Sequence, residues 1–197
     1  MSRLRCSRCC RPQAHCLCTL IPSLASRTRV LILQHPDEVG HALNTARLAA
    51  LGLQNAELVV GEQFDPALWT DAAYRTCLLF PGDGAQVLPL SATGDARALL
   101  LVVPDGTWRK ARKLLHLNPE LAALPRVCLP QGLQSRYRLR KAPAEGALAT
   151  LEAIVVALEL QEAPARFDSL LRPFEALIEG QIAAMGAETF QRNHQRG

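Results

Sequence analysis

Leu99-Leu-Leu-Val-Val-Pro-Asp-Gly-Thr-Trp108 decides how this chain folds. Its first five residues form an unbroken apolar run, which a strand buried on both faces produces and a half-exposed strand does not. Pro104, Asp105 and Gly106 interrupt the run, after which Trp108, Ala111 and Leu115 recur at helical spacing. A buried strand that turns directly into a helix is the repeating unit of a parallel α/β sheet. In such sheets ligands bind beyond the carboxyl ends of the strands, so this turn is also the first candidate site.

The same scheme extends in both directions. Arg29-Val-Leu-Ile-Leu-Gln34 reads as an earlier buried strand, Val39, Leu43, Ala46 and Ala50 as a helix ending near Gly52 and Asn55, and Ala56-Glu-Leu-Val-Val60 as the next strand. Leu78-Leu-Phe80 runs into the turn Pro81-Gly-Asp-Gly84, and Val127-Cys-Leu129 into a long polar loop from Pro130 to Gly146. Two closing helices follow, with apolar faces at Leu148, Leu151, Val155 and Leu158 and at Leu171, Phe174, Ile178, Ile182 and Met185. Ala163-Pro-Ala-Arg166 breaks them apart, and the last residues, Asn193 to Gly197, should be loose. The expected class is α/β, a mainly parallel sheet with helices on both faces.

Upstream of the first strand stands a different kind of sequence. Five of the seven cysteines lie between Cys6 and Cys18, and Cys6-x-x-Cys9 with Cys16-x-Cys18 supply four thiolates on a short loop. That set suits a closed tetrahedral zinc site, whose role would be to hold an otherwise coreless segment in place. Cys10 and His15 lie among these residues and could replace a ligand; a pair of disulfides is the structural alternative. Cys77 and Cys128, isolated in apolar runs, read as core thiols. The division is therefore residues 1–26, a zinc-binding segment, and residues 27–192, a single α/β domain.

Composition narrows the class of function. With 197 residues, 49% apolar and 20% charged, the chain is globular rather than disordered and long enough to bury a core. No apolar run approaches the roughly 18 residues of a membrane span, and none of signal-peptide length follows the basic start, so a cytoplasmic protein is expected. The net charge of +4 is modest, but the basic residues crowd the first thirty positions and Ser135 to Lys141, which suggests a polyanionic partner.

Several polar residues could carry chemistry, and each has a plainer reading. Gly82, Gly84 and Gly106 permit close approach of a ligand to the backbone, while Asp105 or Thr107 could simply cap the helix that follows. If extended, Gly132-Leu-Gln-Ser-Arg-Tyr-Arg-Leu-Arg-Lys141 places Arg136, Arg138 and Arg140 on one face, a rail for phosphates with Tyr137 as a stacking surface, or else a solvated edge strand. Asn44, Thr45 and Arg47 lie near His35-Pro-Asp-Glu38; here Asp37 or Glu38 as a cap and His35 as a satisfied structural histidine are the alternatives. Trp108 could stack on a ligand or pack the helix start on the sheet. Thr150 and Glu152 could cap the next helix or contribute to a cofactor pocket.

Taken together, these segments resemble the DTW-domain proteins, the tRNA-uridine aminocarboxypropyltransferases, named after a motif that stands here as Asp105-Gly-Thr-Trp108. The resemblance also covers Cys6, Cys9, Cys16 and Cys18, the segment Asn44-Thr-Ala-Arg-Leu48, the turn Phe80-Pro-Gly82, Ser135-x-Tyr-Arg-Leu-Arg140, Glu145-Gly146 and Thr150-x-Glu-Ala153. It departs at Gly106, an insertion within the three letters, and at Ala147-Leu-Ala149, where relatives are more polar. What it implies is a fold related to the SPOUT RNA methyltransferases, with a C-terminal trefoil knot that cradles S-adenosylmethionine.

The resemblance assigns S-adenosylmethionine to Phe80, Pro81, Gly82, Pro104, Gly106, Thr107, Leu129, Ser135, Tyr137, Leu139 and Arg140. It places Asp105 near the reacting atoms, where it is expected to act as the base or to orient the uracil edge; Arg138 is expected to stabilise charge on the uracil or to hold phosphate, and Asn44, Arg47, Arg136 and Lys141 to contact tRNA. The activity implied is transfer of the 3-amino-3-carboxypropyl group to N3 of a tRNA uridine. The rivals are a knotted RNA methyltransferase with the same donor and a non-catalytic zinc-bearing RNA-binding protein. Monomer and dimer both remain open.

Overall fold

The computed structural model describes residues 4–90, 95–136 and 148–185. Six strands form one sheet: β1 (Arg29–Gln34), β2 (Ala56–Val60), β3 (Tyr74–Leu79), β4 (Gln86–Val87), β5 (Ala98–Asp105) and β6 (Arg126–Cys128). Their order is β2-β1-β5-β3-β6-β4, and every neighbouring pair is parallel. Among the described residues the α-helices are α1 (Ala46–Gly52), α2 (Trp108–Leu117), the one-turn α3 (Pro119–Ala122), α4 (Thr150–Gln161) and α5 (Leu171–Met185).

Burial on both faces explains why β1 and β5 read as unbroken apolar runs. Successive side chains of a strand point to opposite sides. Val30 and Ile32 of β1, with Leu99, Leu101 and Val103 of β5, join the cluster built on α1, α4 and α5. Leu31, Leu33, Leu100 and Val102 face the other way, onto Trp69, Ala111 and Leu115 of α2 and Leu121 of α3. Helices thus cover both faces of the sheet, as its sequence demanded.

Buried polar side chains fasten the ends of these layers, satisfying backbone groups that would otherwise be desolvated without partners. Glu162, just past α4, accepts from the N–H groups of Arg27 (3.0 Å) and Thr28 (2.8 Å) and so fixes the entry to β1. Asn118, after α2, donates to the carbonyls of Glu62 (2.8 Å) and Leu114 (2.7 Å) and accepts from Phe64 N–H (2.9 Å). Cys9, Leu17 and Ile21 of the N-terminal segment are buried in the same cluster as α1, α4 and α5.

Two boundaries differ from the sequence reading. The helix expected from Val39 begins only at Ala46: Pro36–Glu38 form a 3-10 turn closed by His35 Nδ1, which accepts from Asp37 N–H, and turns continue to Thr45. Gly40 has no side chain to stabilise a helix there, and Val39 is 45% exposed rather than on a buried face. The strand expected at Leu78 starts four residues earlier, at Tyr74, and ends at Leu79. Its first half, Tyr74, Arg75 and Thr76, is half-buried and carried no apolar run. The two-residue β4 was not foreseen, being too short to show a period. The loose tail from Asn193 falls outside the described residues.

Candidate active site

Register brings the site together. In the parallel pairing of β1 with β5, Gln34 lies opposite Asp105, the last residues of their strands. Gln34 Nε2 donates to Asp105 Oδ2 at 2.7 Å, and Thr150 Oγ1, at the first residue of α4, donates to Oδ1 at 2.6 Å. The motif aspartate is therefore not a helix cap; it joins β1, β5 and α4 at the carboxyl end of the sheet. Thr107 supplies the cap instead, accepting from Lys110 N–H.

Only 7% of Asp105 is exposed. Burial raises its carboxyl above the ordinary value; the Thr150 and Gln34 donors pull it back, nearby Glu38 adds to the rise, and Lys110 opposes it. Each carboxylate oxygen keeps a second lone pair beyond the bond it already accepts. Gln34 is fully buried, and its Oε1 has no hydrogen-bond partner. The arrangement is a buried carboxylate, held by two neutral donors, that can hold a proton.

Around this carboxylate the rim is polar. Lys110 Nζ lies 2.7 Å from Glu38 Oε1 and 3.8 Å from Asp37 Oδ2. His35 Nε2 lies 2.9 Å from Glu62 Oε1, which also pairs with Lys113 at 2.7 Å. His35 is thus a satisfied structural residue, the plainer of its two readings. Asn44 Nδ2 donates to Glu38 carbonyl (2.8 Å) and its Oδ1 accepts from Arg47 N–H (3.3 Å), so Asn44 shapes the turn that precedes α1.

The neighbouring strand end carries the aromatic part. Phe80 and Trp108 meet edge to face with ring centroids 5.6 Å apart, and the Arg126 guanidinium lies 5.8 Å over Phe80. Phe80 is buried but Trp108 is 41% exposed, so the tryptophan packs on the strand end and still presents an open face. Gly82, at φ 154°, has Arg126 Nη1 within 2.5 Å of where a Cβ would stand. The room made by this glycine is occupied by the protein's own arginine. Gly106, at φ 148°, makes room instead for Lys110, whose Cβ would lie 3.1 Å from an added Cβ.

Glu152 anchors the loop that follows β6. It is buried, and it accepts from Ser135 Oγ (2.7 Å), Arg136 N–H (2.6 Å) and Ala149 N–H (2.8 Å). One of these bonds caps α4, the plainer reading of this glutamate, and the other two pin the loop. Arg136 turns its guanidinium to Glu175, 2.8 Å away on α5. Tyr137, Arg138, Leu139, Arg140 and Lys141 lie outside the described residues. A cavity of about 330 Å³ lies at the other end of the sheet, lined in part by Arg27, Thr28, Arg75 and Arg97. It is remote from the motif.

The four cysteines of the N-terminal segment converge. Their Sγ atoms all lie within 4.8 Å of one another, with Cys6 and Cys18 3.6 Å apart and Cys9 and Cys16 3.8 Å apart. All seven cysteines are free thiols, so the disulfide alternative is not realised. A tetrahedron with metal–sulfur bonds of about 2.3 Å needs sulfurs roughly 3.8 Å apart, so this cluster could hold a metal ion. Backbone N–H groups of Cys9 and Arg8 and the sulfurs of Cys18 and Cys16 lower Cys6 to about 6, whereas burial and the neighbouring sulfurs push Cys18 up to about 12. Four thiols at these distances cannot all ionise without a cation between them, which is the chemistry a metal supplies. Cys10 and His15 stand outside the cluster; Cys10 instead adopts φ 59°, turning the chain between the second cysteine and Arg11.

Sequence reasoning missed Gln34 as a partner of Asp105 and Arg126 as the filler over Gly82. A polar residue closing an apolar strand was the available signal for the first; the second had none. No helix among the described residues is long and apolar enough to cross a membrane.

The proteins named tRNA-uridine aminocarboxypropyltransferase 2 of Macaca fascicularis and Drosophila melanogaster are 32% and 33% identical to this chain, each over 91% of it. The alignments cover 64% of the macaque protein and 76% of the fly protein, so the chain spans less than two thirds of the former's length. The Arabidopsis thaliana protein named tRNA-uridine aminocarboxypropyltransferase A is 29% identical over 76% of this chain and 69% of its own. No solved structure matches. The DTW domain matches residues 3–182, nearly the whole chain, and the chain belongs to the DTW-domain family.

Proposed function

We propose that this protein transfers the 3-amino-3-carboxypropyl group of S-adenosylmethionine to N3 of a tRNA uridine, releasing methylthioadenosine. The observation that carries the reading is the Asp105 carboxylate, held at the carboxyl end of the sheet by Gln34 and Thr150 within the family motif. The names of the relatives support the acceptor and the group transferred.

The reaction needs one proton removed and one bond exchanged. Uridine N3 loses its proton about two units above neutral pH, at roughly 1.4 kcal/mol per unit, so a positioned base lowers the barrier. Asp105 accepts that proton, the N3 electron pair forms a bond to Cγ of the donor, and the Cγ–sulfur bond breaks with its electrons returning to the sulfonium. Its raised pKa makes Asp105 a stronger base than an exposed aspartate. Which of the donor's three activated carbons reacts is a matter of geometry. The two donors that hold Asp105 equally suit a role in orienting the uracil edge. Arg138 stabilises charge on the uracil carbonyl oxygens or holds phosphate.

The donor lies against the strand ends, among Phe80, Pro81, Gly82, Pro104, Gly106 and Thr107, closed by Leu129, Ser135, Tyr137, Leu139 and Arg140. The exposed face of Trp108 and the anchoring of Ser135 by Glu152 support this placement. A SPOUT-like fold with a C-terminal knot is part of the same reading. It is supported by β6, which lies between β3 and β4, two strands that precede it in the chain. Asn44, Arg47, Arg136 and Lys141 contact tRNA. Zinc is the metal of Cys6, Cys9, Cys16 and Cys18, giving residues 1–26 a structural role beside the catalytic domain at 27–192. The protein works in the cytoplasm.

Donor labelled separately in the methyl group and in the aminocarboxypropyl chain tests the assignment. Chain label alone should enter tRNA; methyl label in tRNA would instead mean a methyltransferase.

A further inference from the structure

Arg11 stands within the cysteine segment yet reaches out of it. Its backbone belongs to the cluster: Arg11 carbonyl accepts from Cys6 N–H at 2.8 Å, and Arg11 N–H donates to the Cys9 sulfur. Cys10, at φ 59°, sets the direction in which Arg11 leaves this turn. Its guanidinium then donates to two carbonyls of a distant segment, Ala42 (Nη1, 2.8 Å) and Asn44 (Nη2, 2.9 Å).

That distant segment is the irregular turn before α1, held locally by turn bonds from His41 N–H to the Glu38 carbonyl (3.1 Å) and from Asn44 N–H to the His41 carbonyl (3.0 Å) rather than by the α-helical pattern. Asn44 links it to Glu38, and Glu38 pairs with Lys110 on the first turn of α2, beside Asp105. A charge-assisted pair of bonds to two carbonyls of one turn, on either side of Leu43, is a rigid clamp, since both arms of the planar guanidinium are used at once.

We propose that Arg11 is a positioning residue, through which the metal-binding cysteine cluster fixes the turn 41–45 and with it the tRNA-contacting Asn44 and Arg47. The contact to tRNA rests on the transferase reading; the mechanical link does not. A metal far from the reacting atoms then controls the order of the acceptor's binding surface, and metal loss frees the turn while the sheet stays folded.

Hydrogen–deuterium exchange of the full chain separates the two parts. In Arg11→Ala, with bound zinc measured in the same preparation, amides of residues 41–48 should exchange about tenfold faster while those of β1 and β5 stay unchanged. Removing zinc from the parent protein with a chelator should speed the same amides, and Arg11→Lys should recover part of the protection. KM for tRNA should rise severalfold in Arg11→Ala with KM for S-adenosylmethionine unchanged. Parent-like exchange at 41–48 in a zinc-loaded Arg11→Ala protein would overturn the link, as would loss of zinc from that variant, which would assign the side chain to the cluster itself. Faster exchange without any transfer activity in the parent would keep the link and remove the transferase reading.

Discussion

Asp105 places a charge where charge is costly. Burial raises its folded-state pKa above the unfolded value, so its contribution to stability is present below the unfolded pKa and lost as pH rises through the folded one. Where it is ionised the buried carboxylate strains the fold, so Asp105→Asn should match the parent's stability to urea or exceed it by up to about 1 kcal/mol. Gln34 can turn its amide to offer the unpartnered Oε1 to the new Nδ2. Turnover should fall by about 10²-fold or more if Asp105 is the base, and the parent's rate should rise with pH through a pKa above the ordinary aspartate range. Near-parental turnover in Asp105→Asn would leave only the orienting role. The sequence named this aspartate because it sits at a strand end in a motif. It could not show that Gln34 lies opposite, because pairing register is a property of two strands together.

Turns decide function at the scale of elements. Gly82→Ala sets a Cβ against Arg126, which lies over Phe80, in a backbone conformation that favours glycine. A loss of about 1–3 kcal/mol and a weakened donor site are expected, readable by urea unfolding and by titration calorimetry with S-adenosylmethionine. Glu152→Ala removes three hydrogen bonds from a buried cluster and should cost about 2–4 kcal/mol, freeing the loop after β6. An unchanged melting temperature would show that the loop has other anchors. Elements with strong periods stand where the sequence put them, among them β1, β5 and the closing helices, although Leu148 lies before α4 and Met185, 39% exposed, ends α5 off its buried face. The start of α1 was misplaced because apolar spacing at Val39 and Leu43 imitated a helix where a proline and a glycine had already committed the chain to turns.

At the scale of the molecule, a parallel sheet sandwiched between helices follows from strands that are apolar throughout, since only burial on both faces tolerates them. Strand order does not follow, because it depends on which crossover lands beside which strand; β5 between β1 and β3 is information held by the packed layers. The cysteine spacing was enough to foresee the cluster of four thiols that could hold a metal ion, as four residues on one short loop need no distant partner. Zinc extraction should lower the melting temperature and expose Cys9, Leu17 and Ile21 from the shared core, measured by scanning calorimetry before and after a chelator. The most direct test of the whole reading is to incubate the protein with S-adenosylmethionine and bulk tRNA and identify the sulfur product and the modified nucleoside by mass spectrometry. Methylthioadenosine with aminocarboxypropyl-uridine is the predicted result; S-adenosylhomocysteine with a methylated nucleoside, or no product at all, would contradict it.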